Sequence, residues 1–308
     1  MSRIHEALKK AAEERSSKLA AGSASDLVDV ANGLRSAPVI ESERVLSVRP
    51  DFRPNGTSAQ FQFEELVKKC THPKWSLDPR TIVFHDVDNK KIGAERFRTL
   101  RSRLSQIATA QQLKKVLVTS SIPAEGKTFV AANLALSIVR QNDRRVLLID
   151  ADLRASRLHV VLGAPAGPGL TEYLRGEVDE LAVIQQGPEG NLFFLPGGGL
   201  VSNPSELLLG ERMKRLLDRV TPLFDWIILD SPPALPVHDA STLADLCDGV
   251  LFVVRAGQTD CEMAEKASSE FRDKNLLGVV LNGVEKGDSY GTYYYGYPVS
   301  EKQGNATP

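Results

Sequence analysis

From Lys115 onward, short runs of Val, Ile and Leu alternate with stretches in which apolar residues recur every three to four positions. The runs at Lys115 to Thr119, Val146 to Ile149, Leu192 to Leu195, Trp226 to Leu229, Val250 to Val254 and Val279 to Leu281 predict strands. Helices are predicted after Gly126, after Ser205, around Ser241 and around Glu262. Runs that stay apolar at consecutive positions belong to strands covered on both faces. Separated by helices, they predict an α/β fold whose mostly parallel central sheet is wound by right-handed crossovers and flanked by helices on both faces.

Upstream the pattern weakens. Residues 1–20 predict an amphipathic helix, with Ile4, Leu8 and Ala11 or Ala12 on one face and Lys9, Glu13 and Arg15 elsewhere, a face that either docks on a partner or packs on the parent domain. Residues 21–80 are rich in Ser, Ala, Gly and Pro and predict a mostly flexible linker with a helical patch near Phe61 to Lys69. The α/β domain is then expected over 81–286, followed by a tyrosine-rich tail over 287–308.

Composition narrows the function. In 308 residues, 42% hydrophobic content suffices for a sizeable core, and 38 Lys plus Arg against 39 Asp plus Glu leave no electrostatic footprint for nucleic acid. Three cysteines, Cys70, Cys247 and Cys261, form no CxxC pair, which suits a reducing cytosol better than a disulfide framework or a zinc site. No apolar run approaches the roughly 20 residues of a membrane helix, and MSRIHEALKKAAEER lacks the apolar stretch of a signal peptide. A cytoplasmic protein is expected, with any membrane role supplied by a partner.

The sharpest motif is KKVLVTSSIPAEGKTFVAANLA, a predicted buried strand, a turn and a helix. Ending in Gly126, Lys127 and Thr128, it matches the phosphate-loop pattern GxxxxGK[ST] except that Ser121 stands where the first Gly belongs. Ser121, Ile122, Pro123, Ala124, Glu125, Gly126, Lys127, Thr128 and Phe129 are therefore the expected nucleotide-binding segment of a P-loop NTPase. Backbone amides at the turn and helix start cradle phosphates, Lys127 reaches the outer ones, and the Thr128 hydroxyl ligates magnesium.

Two more segments converge on that site. RVLLIDADLR ends a strand in Asp150 and Asp152, and DWIILDSPP ends another in Asp230. Carboxylates at the carboxyl ends of parallel strands face the crevice in which such sheets bind ligands. Mg2+ takes one or two carboxylates together with water and phosphate oxygens, so one Asp can hold the ion while another orients or deprotonates the attacking group.

Together these motifs resemble the bacterial tyrosine kinase family, in particular the soluble capsular and exopolysaccharide kinases of the CpsD/CapB kind, within the wider MinD/ParA class of P-loop ATPases. The resemblance spans about residues 81 to 297 and includes NPSELL at Asn203 to Leu208; the start MSRIHEALKKA also looks like kinases beside exosortase-linked loci. It implies ATP as cofactor with Mg2+, Lys127 as the phosphate-binding lysine, and Thr128, Asp152 and Asp230 as metal ligands. It also implies Asp150 as the base for a tyrosine hydroxyl. Ser156 departs from the family's proline before Arg157, Leu158 and His159.

The resemblance further implies that Glu95, Arg98 and Arg101, an ExxRxxR spacing on a predicted helix from Gly93 to Ile107, support a ring-like homo-oligomer; intrahelical pairing is the plainer reading. Five of the six tyrosines, Tyr290, Tyr293, Tyr294, Tyr295 and Tyr297, cluster among glycines and are the expected autophosphorylation sites. Expected partners are other copies of the chain, a transmembrane polysaccharide copolymerase that activates the kinase at the inner face of the cell membrane, and a tyrosine phosphatase. Nucleic acid is not among them. Two other readings stay open: a MinD/ParA-like positioning ATPase, against which stand the tyrosine cluster and Ile122 in place of a second lysine, and a nucleotide-binding adaptor without chemistry.

Overall fold

The computed structural model describes residues 56–84, 92–141 and 143–284, with side chains from residue 63. The predicted helix at 1–20 and the five tail tyrosines lie outside the described residues.

Seven strands form one sheet in the order β3-β4-β2-β5-β1-β6-β7. They are β1 Lys115–Ser120, β2 Val146–Asp150, β3 Gln185–Gln186, β4 Leu192–Leu195, β5 Trp226–Asp230, β6 Gly249–Arg255 and β7 Leu276–Asn282. All pairings are parallel except β3 on β4, a two-residue edge pair too short to leave a hydrophobic signature. The six strands expected from the apolar runs are all present.

Alternate residues of each strand feed two cores. On β2, Leu147 and Ile149 enter one core while Val146 and Leu148 enter the other. The second core is closed by α2, Ile92–Ala110, and α3, Lys127–Val139. Every residue of α3 from Val130 to Val139 is buried, so this helix lies between sheet and α2 and carries no charged face. The opposite layer holds α1 Gly56–Lys69, α5 Leu170–Arg175, α6 Glu180–Val183, α7 Pro204–Leu209, α8 Glu211–Val220, α9 Asp239–Ala244 and α10 Cys261–Ser269. The short α4, Leu158–Leu162, packs beside α3.

Part of the stretch expected to be linker is bound to this body. Leu66 and Cys70 are buried in the first core, and Thr71 bridges Gln185 at the sheet edge. Farther on, Ser76 and Asp78 donate to Gly163 and Val161 oxygens at 3.1 Å each, and Asn133 of α3 clamps residues 81–83 through Val83 N and Thr81 O at 2.9 Å each. The packed body thus begins upstream of residue 81: Phe63 and Leu66 belong to the expected helical patch, while Cys70, Trp75 and Leu77, which no period links, also pack against the two cores.

Candidate nucleotide and phosphoryl-transfer site

The sheet topology places one crevice. From β1 the chain crosses to β2 and β4, returns to insert β5 between β2 and β1, and then adds β6 and β7 on the far side of β1. Ligands of open α/β sheets bind at the carboxyl ends of strands where the winding reverses. Here the loop from Ser121 to Gly126 leaves β1, and Asp150 and Asp230 end β2 and β5 as directly paired neighbours in register.

The loop has a defined shape. Gly126 has φ +94°, and a Cβ there would lie 2.0 Å from Asn282 Nδ2, so both conformation and space require glycine. Ala124 also has positive φ, 67°. The loop then opens α3 at Lys127, giving backbone amides at a helix N-terminus, the arrangement that binds phosphate. Ser121, in place of the motif's first glycine, keeps its hydroxyl buried with no hydrogen-bond partner, while its carbonyl accepts Leu235 N at 3.1 Å.

The predicted acids converge on Lys127. Its Nζ lies 2.9 Å from Asp152 Oδ2. Burial pulls the Lys127 ammonium down, but the fields of Asp230, Asp152 and Asp150 outweigh it and hold its pKa above the usual lysine value. Asp150 is fully buried; its Oδ2 accepts Ser156 Oγ at 2.6 Å, Leu158 N at 3.0 Å and Arg157 N at 3.1 Å, while Oδ1 receives only the Asp152 amide at 3.3 Å. Burial pushes its carboxyl above the usual range against the pull of Ser156 and Leu158. Ser156 therefore has a function that a proline at this position could not supply.

Asp230 is the odd member. Both carboxyl oxygens are buried without a normal hydrogen bond, although the Thr128 hydroxyl lies close enough to favour the charged form. Burial, opposed by Lys127 and reinforced by Asp150, pushes it up to about 8. An orphaned buried carboxylate beside a threonine hydroxyl fits a cation that arrives with its phosphate. No group of three or more His, Cys, Asp or Glu among the described residues is arranged to hold a metal.

Around this centre lie residues whose partners the motifs did not reveal. Arg154 Nε donates to Asp239 Oδ2 at 2.7 Å and its Nη2 to Ser205 Oγ at 2.8 Å, while Ser205 Oγ donates to Asp239 Oδ1 at 2.5 Å. Ser205 belongs to the NPSELL segment, whose Pro204 opens α7. That segment thus latches the loop after β2 to the start of α9. Asn282, Arg255 and Thr259 reach the phosphate loop from the ends of β7 and β6. Only their position at carboxyl strand ends hinted at this in the sequence.

The ExxRxxR side chains part company. Arg98 pairs with Glu95 on an exposed face, whereas Arg101 Nη1 donates to Ser137 O at 2.6 Å in the last turn of α3. Each step of three residues rotates by about 60° around a helix, so Arg101 drifts onto the buried stripe of Ala94, Phe97 and Leu104. There it satisfies a helix-end carbonyl at the negative end of the dipole.

A sheet of this winding with such a loop and paired strand-end carboxylates defines a P-loop nucleotide-binding domain. A family model described as an AAA domain matches residues 124–263. The tyrosine-protein kinase YwqD of Bacillus subtilis is 36% identical over 211 residues, which cover 67% of this chain and 88% of that protein. The tyrosine-protein kinase etk of Escherichia coli K12 is 36% identical over 210 residues, again 67% of this chain but 29% of the longer relative. The solved kinase domain of Escherichia coli tyrosine kinase ETK superposes with a TM-score of 0.60 at 34% identity, covering 66% of this chain and 79% of that one. The chain belongs to the bacterial tyrosine kinase family.

Proposed function

We propose that this chain binds ATP with Mg2+ in the crevice between the phosphate loop and the ends of β2 and β5, and transfers the γ-phosphoryl group to tyrosines of a neighbouring copy. The acceptors are Tyr290, Tyr293, Tyr294, Tyr295 and Tyr297. The bond between the γ-phosphorus and the β–γ bridging oxygen breaks, a bond to the phenolic oxygen forms, and ADP leaves.

The chain's own residues divide the work. Residues 121–129 hold the phosphates, with Lys127 carrying the positive charge that the transferring group needs. Thr128, Asp152 and Asp230 would hold Mg2+, which when bound neutralises phosphate charge. Asp150 receives the phenolic proton on Oδ1, the oxygen not committed to three donors. Phosphoryl transfer is largely dissociative, so alignment and charge neutralisation outweigh early proton removal, and a carboxylate serves although phenols titrate near 10. The observation that carries this reading is the Lys127–Asp152 contact at 2.9 Å beside a buried Asp230 that has no partner of its own.

In the cell this activity regulates exopolysaccharide or capsule production. Copies assemble in a ring, a transmembrane polysaccharide copolymerase recruits and activates them at the inner membrane face, and a tyrosine phosphatase resets the tail. No helix among the described residues is long and apolar enough to cross a membrane, which supports a membrane role through a partner. Mass spectrometry of the protein after Mg-ATP treatment with its activator is expected to map phosphate onto the tail, and Lys127→Met to abolish it. Release of free phosphate with no labelled protein would favour the positioning-ATPase reading instead.

A further inference from the structure

Phosphate loops must point their amides inward before the ligand arrives, yet this one contains a residue that resists the required shape. Ala124 has φ 67°, a left-handed conformation that a side-chain-bearing residue adopts only when its surroundings impose it. Ala124 itself is exposed, so its own side chain does not impose it.

The restraint comes from its neighbours. Glu125 is buried at 2% exposure, inside a loop built to bind anions. Its Oε2 accepts Ile122 N at 2.7 Å, spanning the bend at Ala124, and its Oε1 accepts the Thr259 hydroxyl. Thr259 Oγ1 in turn accepts Arg255 N at 3.1 Å, which fixes the turn after β6. From the same turn Arg255 Nη1 donates to Ala124 O at 3.0 Å, and at the end of β7 Asn282 Nδ2 donates to Glu125 O at 2.9 Å. Three residues from two strands beyond β1 thus grip both sides of the strained position.

We propose that the side chains of Glu125, Thr259 and Asn282 are positioning groups that hold the phosphate loop in its binding shape against the strain at Ala124, so that nucleotide affinity depends on contacts made within the protein as well as on the loop amides that meet the phosphates. This rests on the nucleotide-binding reading of the loop. Glu125 faces protein donors, so its negative charge is spent within the loop wall rather than opposing the phosphates. Thr259 is the member whose removal costs least packing: Thr259→Val keeps the shape and deletes the hydroxyl. Part of the binding energy then goes into ordering the loop.

The test is calorimetric titration of full-length chains with Mg and a non-hydrolysable ATP analogue, alongside KM for ATP and kcat. Thr259→Val is expected to weaken analogue binding about tenfold, the loss of one charge-assisted hydrogen bond, raising KM while kcat at saturating ATP falls less. Thr259→Ser is expected to bind like the wild type. Adding Ala124→Gly to Thr259→Val is expected to recover a large part of the loss, because glycine takes positive φ without penalty; a purely structural defect would not be relieved there. Asn282→Ala gives an independent arm with the same direction and carries the test alone if Thr259→Val fails to fold. Unchanged affinity in the variants, or a loss that Ala124→Gly does not relieve, overturns the brace while wild-type binding leaves the nucleotide site standing. A wild type that does not bind the analogue overturns both.

Discussion

Asp230 ends β5 with a carboxyl group that is fully buried and lacks a hydrogen-bond partner. Burial, with Asp150 and Asp152 nearby and only Lys127 and Thr128 in opposition, raises its pKa from 3.8 to about 8. The unfolded chain ionises this group easily and the folded chain does not. Its contribution to stability is therefore complete below about pH 3.8 and is lost as pH climbs through about 8. Asp230→Asn removes that loss, so the nucleotide-free variant should melt near the wild type only at about pH 4 and increasingly above it as pH rises to 8, while phosphorylation falls to background. Thermal melts across pH in the presence of a chelator check this; a variant less stable than the wild type at pH 8 would contradict it. Asp150 gives a second residue-scale expectation. The Ser156 hydroxyl holds its pKa down, so Ser156→Ala should raise it and move the acidic limb of the pH–rate profile to higher pH. Initial labelling rates measured across pH decide it, since a simple packing defect would lower the rate without moving the limb.

Between elements, the latch of Arg154, Ser205 and Asp239 ties the loop after β2 to α7 and α9. The Asp239 side chain is 1% exposed, whereas Arg154 is 39% exposed and partly screened. Removing the cation leaves a buried carboxylate facing Ser205, so Arg154→Met should cost about 2 kcal/mol, below the roughly 3–5 kcal/mol of a fully buried pair because the exposed Arg154 is screened by water. Ser205→Ala should cost about 1 kcal/mol, and urea unfolding of both variants orders them. The sequence offers Arg154 as a cation that can pair with an acid but does not say which, because the members of the latch are 34 to 85 positions apart and no period links them. The strands were legible for the opposite reason: burial on both faces leaves consecutive Val, Ile and Leu, as in VLLID and WIILD. The acids at their ends followed from strand polarity alone. Residues 70–80 read as linker because they form no period, and β3 leaves no signal because two glutamines make its ladder. Glu125 was placed in the loop by its motif, but that its carboxyl turns to Ile122 and Thr259 is a tertiary fact.

At the scale of the whole molecule, the question is how separate copies meet. Arg101 caps α3 from within its own subunit, so it contributes to the fold whether or not it contributes to a ring. Glu95→Ala with Arg98→Ala should then weaken self-association in sedimentation with little change in melting temperature, whereas Arg101→Ala should lower melting temperature as well. The tail sharpens the same question. β7 is the last described strand, and its final residue Asn282 touches the phosphate loop beside the crevice. Tyr290 follows eight residues later, a reach of at most about 28 Å when extended. That length permits a tail to bend back as readily as to cross to a neighbour, and complementation separates the two routes. A chain carrying Lys127→Met keeps its tyrosines but lacks the phosphate lysine; a second chain with Tyr290, Tyr293, Tyr294, Tyr295 and Tyr297 all changed to Phe keeps the site but lacks acceptors. Each alone should stay unlabelled in the tail. Mixed with Mg-ATP and activator, the Lys127→Met chain should become phosphorylated at a rate that rises with concentration, because the phosphoryl group must pass between subunits. A silent mixture beside a labelled wild type would place transfer within a single copy and remove the need for a ring.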